Sequence, residues 1–201
     1  MIRPRRPLLP AVVLSSLLLP LHGCGEAHTA GGATPTWTRA TAELSEAQRT
    51  QQQKALQARD TLAKTLLGEL TGAMQEGPVH AIEVCEKRAP AIAAEVGSQQ
   101  GVRIGRTAVK LRSKKNVPPQ WAAEHVRGAQ SPATFVGPDG QLGALFPIKL
   151  QAQCLVCHGK TDIIGPDVRG ALQMRYPDDQ ATGFAIGDLR GWFWVEVPKA
   201  E

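Results

Sequence analysis

"PATFVGPDGQLGALFPIKLQAQCLVCHG", residues 132–159, sets a strand pair and a chemical motif end to end. Its two apolar runs flank Pro138, Asp139 and Gly140, residue types that close a tight antiparallel turn, so the stretch predicts a β-hairpin. Cys154-Leu155-Val156-Cys157-His158 follows directly on the second strand. Further along, "GWFWVEVP" at 191–198 is aromatic and β-branched, which predicts another strand closed by Pro198. Upstream, Val102, Ile104, Val109 and Leu111 are β-compatible, and "VPPQWAAEHVRG" reads as a turn leading into a short helix.

The N-terminal part has a different period. Ser45-Glu46-Ala47-Gln48 fits a capping box, and Leu56, Leu62, Ala63, Leu66, Leu67, Leu70 and Met74 recur at helical spacing until Gly77-Pro78. This predicts one long helix over about 45–75 with a Gln-rich outer face. From Pro78, a favoured first-turn residue, Val79, Ile82, Cys85, Ala89, Ile92 and Val96 predict a second amphipathic helix ended by Gly97, with Cys85 facing inward. Pro90 cannot donate to the carbonyl of Glu86, so that helix is expected to kink or restart just after Cys85. The fold class expected is α+β, a small antiparallel sheet with long N-terminal helices packed on it.

Residues 1–23 carry Arg3, Arg5 and Arg6 ahead of a short apolar run interrupted by proline, the pattern of an export signal and too broken for a membrane span of roughly 20 apolar residues. The run ends in Leu21-His22-Gly23-Cys24, which looks like a bacterial lipobox with Cys24 as the lipidated residue. The alternative is a nearby cut that leaves Cys24 as a free thiol. Residues 24–44, rich in Ala, Gly and Thr, read as a flexible tether and 45–201 as a single domain. The expected location is the periplasm or outer surface, with the membrane reached by a lipid anchor only. The formal charge of +5 includes the three arginines of the signal; without them 20 basic residues face 18 acidic ones, so nucleic acid is not an expected partner.

In an oxidising compartment a Cys-x-x-Cys pair can be a disulfide or a redox pair, but the adjacent His158 favours c-type haem attachment. Cys154 and Cys157 are spaced to add across two porphyrin vinyl groups, and His158 is then placed to ligate the iron as a neutral imidazole. Zinc would also use Cys and His, yet no second cluster at finger-like spacing exists in the sequence. One covalent haem c is therefore the expected cofactor. The other axial position has five candidates: Cys85, Met74, Met174, His80 and His125. Met74 lies on the apolar stripe of the long helix, where methionine is usually core filler. Met174 sits in a loop-like approach, "ALQMRYPDD", and the two histidines stand alone. Cys85 is the one thiol left once Cys24, Cys154 and Cys157 are used; the plain alternative is that it is a small buried hydrophobe.

Four stretches, "EVCEKRAPAIA", "IGRTAVKLRSKKNVPPQW", "CLVCHG" and "YPDDQATGFAIGDLRGWFWVEVP", occur in an order that resembles a family of exported c-haem proteins with a PAS-like fold, first noted in cyanobacteria, over roughly Leu66 to Pro198. The resemblance implies a PAS-like sheet and an iron held by His158 on one side and Cys85 on the other. The chain departs from the family pattern at Ala108 and at Ser113-Lys114, so no particular role is assigned to the loop around Asn116.

Arg106, Lys110 and Arg112 are expected to neutralise haem propionates, with a solvated basic strand face as the alternative. An iron with both axial positions filled by protein has no open site for substrate, so redox or gas sensing, with CO or NO as candidate ligands and a separate signalling partner, is the leading expectation. A tethered electron carrier with a redox partner protein is the rival. A peroxidase-type enzyme would need distal acid-base groups that the sequence does not announce.

Overall fold

The computed structural model describes residues 36–199, so the export signal and the lipidation candidate Cys24 lie outside the described residues. Five antiparallel strands form one sheet: β1 (Thr38–Arg39), β2 (Arg103–Thr107), β3 (Ala133–Val136), β4 (Leu142–Lys149) and β5 (Leu189–Val197), in the order β1-β3-β4-β5-β2. The hairpin is β3 and β4, registered from Ala133↔Leu145 to Val136↔Leu142. Its turn is tied by Gly137 N–H donating to Gln141 O at 2.8 Å, with Gly140 at φ 81°, a conformation glycine adopts without steric cost. The "GWFWVEVP" strand is β5, paired on both sides by β4 and β2. Residues 37–39 of the expected tether belong to the fold: β1 pairs with β3, and Trp37 stacks on Trp121 at 5.1 Å between ring centroids.

The long helix is α1 (Glu46–Gln75), and its N-terminus carries the expected reciprocal cap between Ser45 and Gln48. It is followed by α2 (Pro78–Glu83), a five-residue π turn (Val84–Arg88) and α3 (Ala89–Gln100). The π turn falls where the missing amide of Pro90 leaves the carbonyl of Glu86 without its helical donor, and Ala89 N–H reaches back five residues to Val84 O instead. Gly97 does not end this helix; it runs on to Gln100 and stops at Gly101 in the left-handed conformation. Nor is the Gln-rich face of α1 all outward: Gln51 is buried, and its Nε2 donates to Gly140 O (3.1 Å) and Pro198 O (2.8 Å), closing the hairpin turn and the chain's last strand against the helix.

Strand alternation supplies a core on both faces. Leu142, Ala144 and Phe146 of β4 with Val195 and Val197 of β5 meet Ala58, Leu62, Ile92 and Val96 of α1 and α3. Leu145 and Trp192 point the other way, against Ala122, Val126 and Phe135, where α4 (Ala123–Gly128) covers the sheet. Leu62 is fully buried at the centre of the first layer, so Leu62→Ala is expected to cost about 2–5 kcal/mol, read as a lowered denaturant midpoint with an unchanged slope.

Candidate functional site

The cysteine motif occupies a tight corner after β4: a 3-10 turn (Ala152–Cys154) runs into the one-turn helix α5 (Leu155–His158). Gly159 closes that turn through a 2.9 Å bond to Leu155 O, and a Cβ there would stand 2.6 Å from the same oxygen, which explains a glycine after His158. The loop from Tyr176 to Asp188 is laid along the motif by backbone bonds, Gly183 N–H to Gly159 O (2.8 Å) and Phe184 N–H to His158 O (3.0 Å). The motif's next neighbour is α6 (Pro166–Arg175), whose Val168 and Leu172 pack with Ile82, Ile164, Tyr176 and the half-buried Cys157. Burial pushes the Cys157 thiol up.

His158 Nδ1 lies 2.7 Å from Ala181 O and 3.3 Å from Arg190 Nε. A carbonyl only accepts, so the shorter contact makes Nδ1 the protonated nitrogen, and the arginine is then a neighbouring cation rather than a hydrogen-bond donor to it. This tautomer leaves Nε2 with its lone pair free, the arrangement in which an imidazole can ligate a metal while a carbonyl orients it. Burial, joined by the charges of Arg112 and Arg190, pulls the His158 pKa down to about 3. The ring therefore stays neutral in the folded, haem-free chain while an unfolded histidine charges near 6.5. Between those values the unfolded state binds more protons, so stability falls as pH drops from about 6.5 toward 3, by about 1 kcal/mol per unit. Urea titrations of the haem-free protein at pH 7.5 and 5 are expected to show that loss, and His158→Gln to remove it.

Arg112 is placed differently from the sequence expectation. Its Nε donates to Asp179 Oδ2 (3.0 Å) and its Nη2 to Cys157 O (2.6 Å) and Ala181 O (3.2 Å), so it braces the motif and has little left for a propionate. Asp179 Oδ1 also accepts from Ala181 N–H at 2.7 Å. Arg112 and Asp179 thus hold the carbonyl that orients His158. Lys110 is exposed with its Nζ 5.1 Å from the Phe184 ring centre, and Phe184 stands edge-on to His158.

Cys85 sits in the π turn and lines a cavity of about 620 Å³ with α3, the edge strand β2, the 113–117 loop and the end of α6. Glu86 beside it accepts from Arg175 Nη1 at 2.7 Å, which ties the turn to α6. Arg106 projects from β2 into the same cavity and has no ion-pair or hydrogen-bond partner among the described residues. Burial lowers its pKa, against the opposing influence of Cys85 and Tyr176.

The remaining axial candidates are elsewhere. Met174 is 84% exposed, in the last turn of α6 rather than in a loop. Met74 packs on Ala73, Ala81 and Val84. His80 is exposed beside Glu76, and His125 packs edge-on to Phe135 and Trp192 on the sheet face away from α3. Three further residues, Asp179, Tyr176 and Arg190, were given no site role in the sequence. The signal for Arg190 was a lone cation leading the most apolar strand. Its pKa falls to about 10 by burial, with Arg112 and Arg106 adding repulsion.

The cavity lies within the roughly 300–1,000 Å³ of small-molecule sites. Arg112 is paired with Asp179 and Arg175 with Glu86, whereas the half-buried Arg106 in the cavity and Arg190 beside His158 have no carboxylate partner among the described residues, so two cations remain that a dianionic group would neutralise. A neutral histidine with a free Nε2, two motif thiols and those two cations fit a porphyrin bearing two carboxylates. The fold and site define an α+β protein with a Cys-x-x-Cys-His corner beside a cation-lined cavity at a sheet edge. The chain belongs to the Tll0287-like family, whose model matches residues 37–198. Among solved structures it is similar to that of the cyanobacterial haem protein Tll0287, with 22% identity and a TM-score of 0.57 over 76% of this chain and 97% of that one, a likeness of fold. No curated protein matches the chain.

Proposed function

We propose that this protein carries one covalent haem c, tied by Cys154 and Cys157, with His158 and Cys85 as its axial ligands, and that it acts as an exported, lipid-anchored redox or gas sensor. The observation that carries the reading is the cavity: Cys85 lines it, and Arg112, which also lines it, is bonded to the motif through Cys157 O. The family and the haem-protein title of the structural neighbour support the cofactor. Bound haem would supply one-electron exchange and an iron that takes two axial ligands.

The chain's own residues do the rest. Ala181 O fixes the His158 tautomer, and Arg112 with Asp179 fixes Ala181. Lys110 and Arg190, near His158 and Phe184, are the cations placed to meet propionates from that side, while Arg106 serves the Cys85 side. Cys85 stands on a turn whose neighbours report to α6 through Glu86–Arg175 and Ile82, so loss of a bond to its sulfur would be felt by α6. Lipidation at Cys24 provides the anchor. A tethered electron carrier is the second reading, favoured by the rigid bracing around His158.

One experiment separates them. The haem-loaded protein is reduced without oxygen, exposed to CO, and followed by absorption and by hydrogen exchange over residues 78–100. A sensor loses the sulfur signature and gains exchange in that segment; unchanged ligation and exchange in both states would favour the carrier.

A further inference from the structure

Arg106 and Tyr176 stand apart from the other polar groups around the cavity. Tyr176 is only 9% exposed as a residue and lines the cavity, and no hydrogen-bond partner for its hydroxyl is found among the described residues. Burial pushes that hydroxyl up to about 12, with Cys85 and Glu86 acting the same way, so it is a donor at any working pH. Tyr176 reaches this place because it ends α6 and packs on Ile82, one helical turn before Cys85. Arg106 comes from a different element, the edge strand β2, where its cross-strand partner is Phe193, and it lines the same cavity as Cys85. A guanidinium and a phenol hydroxyl are both donors, and neither has a protein partner among the described residues. Two donors without a hydrogen-bond partner among the described residues, one of them charged, line one cavity with the Cys85 thiol and form a place for negative charge, because a half-buried cation without a counter-charge gains from an anionic partner.

We propose that Arg106 and Tyr176 form a small-anion site beside Cys85, which takes a monoanion of the size of azide, cyanide or hydrosulfide wherever the Cys85 sulfur does not occupy the position. The ligand class follows from the site. One guanidinium balances a single negative charge, the hydroxyl adds an uncharged donor, and a ligand that takes the place of one sulfur atom is itself only a few atoms in size. This inference rests on the haem reading only in its first test; the second is independent of it.

In the first test, azide is titrated into haem-loaded Cys85→Ala protein, and the same titration is made with Arg106→Gln or Tyr176→Phe added. Azide is expected to bind about tenfold more weakly with Arg106→Gln, and several-fold more weakly with Tyr176→Phe, since each loses one donor to a charged ligand. Imidazole, a neutral ligand, is titrated in parallel and should bind all three alike. Equal azide affinity in the three proteins overturns the proposal, as does an equal loss of azide and imidazole, which would mark a merely structural role. If Cys85→Ala leaves the parent spectrum unchanged, the axial reading of Cys85 fails, and the second test still decides the anion site.

The second test uses haem-free full-length protein with Cys24, Cys154 and Cys157 replaced by serine, and compares alkylation of Cys85 by iodoacetate and by iodoacetamide. Both reagents attack the same thiolate, so the ratio of their rates cancels its population and reports the local charge. Arg106→Gln is expected to lower the iodoacetate-to-iodoacetamide ratio about fivefold. An unchanged ratio overturns the site and leaves Arg106 as a propionate partner only.

Discussion

Cys85→Ser should abolish the low-spin thiolate signature of the oxidised, haem-loaded protein in low-temperature EPR and in its optical spectrum. The same variant is expected to raise the reduction potential by at least about 59 mV, a tenfold change in the ratio of reduced to oxidised protein at a fixed poise. The sign follows from charge. A sulfur anion beside the iron stabilises the more positive oxidised state, and its removal gives up that preference. The effect is expected to be large because the other axial candidates are badly placed: Met174 is solvent-exposed, and His125 is engaged with Phe135 and Trp192. Coincident spectra of parent and variant would reduce Cys85 to a packing residue of the π turn.

The second large effect concerns the brace behind His158. Arg112 and Asp179 are 9% and 10% exposed, and between them they hold Cys157 O, Ala181 O and Ala181 N–H. Removing one partner leaves a buried charge without its counter-ion, so Arg112→Leu and Asp179→Ala are each expected to cost about 3–5 kcal/mol, and to lower Tm by about 6–20 °C for a domain of this size. Arg112→Leu combined with Asp179→Ala should cost less than the sum, because neither charge is then stranded. In haem-loaded protein the single variants should also broaden the EPR signal, since Ala181 O no longer fixes the His158 ring. Exposed pairs such as Lys114–Asp178 make a useful contrast: Lys114→Ala should change stability by less than about 1 kcal/mol.

Much of this architecture was legible before any coordinates. The hairpin around Pro138-Asp139-Gly140, the capped helix from Ser45 and the aromatic final strand all carry local signals, because turn chemistry, capping and side-chain period act over a few residues. The break after Cys85 was legible too, since the missing amide of Pro90 is a local fact, although its form as a π turn was not. Failures came where tertiary partners decide. Gly97 looked like a stop, but nothing at 98–100 opposes helix, and the conformation needed to leave it is taken by Gly101. Gln51 looked like surface until two backbone carbonyls, at Gly140 and Pro198, came to meet it. Strand β1 is two residues long and carries no periodicity; its place depends on Trp37 finding Trp121.

The site divides in the same way. The candidate groups Cys154, Cys157 and His158 are contiguous and announce themselves, and Cys85 was proposed through arithmetic and resemblance. The residues that position them were hidden, because Arg112 looks like any basic strand residue until Asp179 and two carbonyls converge on it, and Arg190 acts on His158 from another strand. Sequence reading named candidate groups more readily than the residues that position them.

Covalent haem attachment at the cysteine motif is the claim on which the rest depends. The most direct measurement is the intact mass of the purified protein, produced in cells that export and load c-type haem, before and after extraction with acidified acetone, beside the Cys154→Ala/Cys157→Ala variant. The account predicts that the parent keeps one added haem mass through extraction, with tandem fragmentation placing it on the peptide containing Cys154 and Cys157, and that the variant does not keep it. A parent chain that is colourless, or that surrenders all its haem to the solvent, would contradict it.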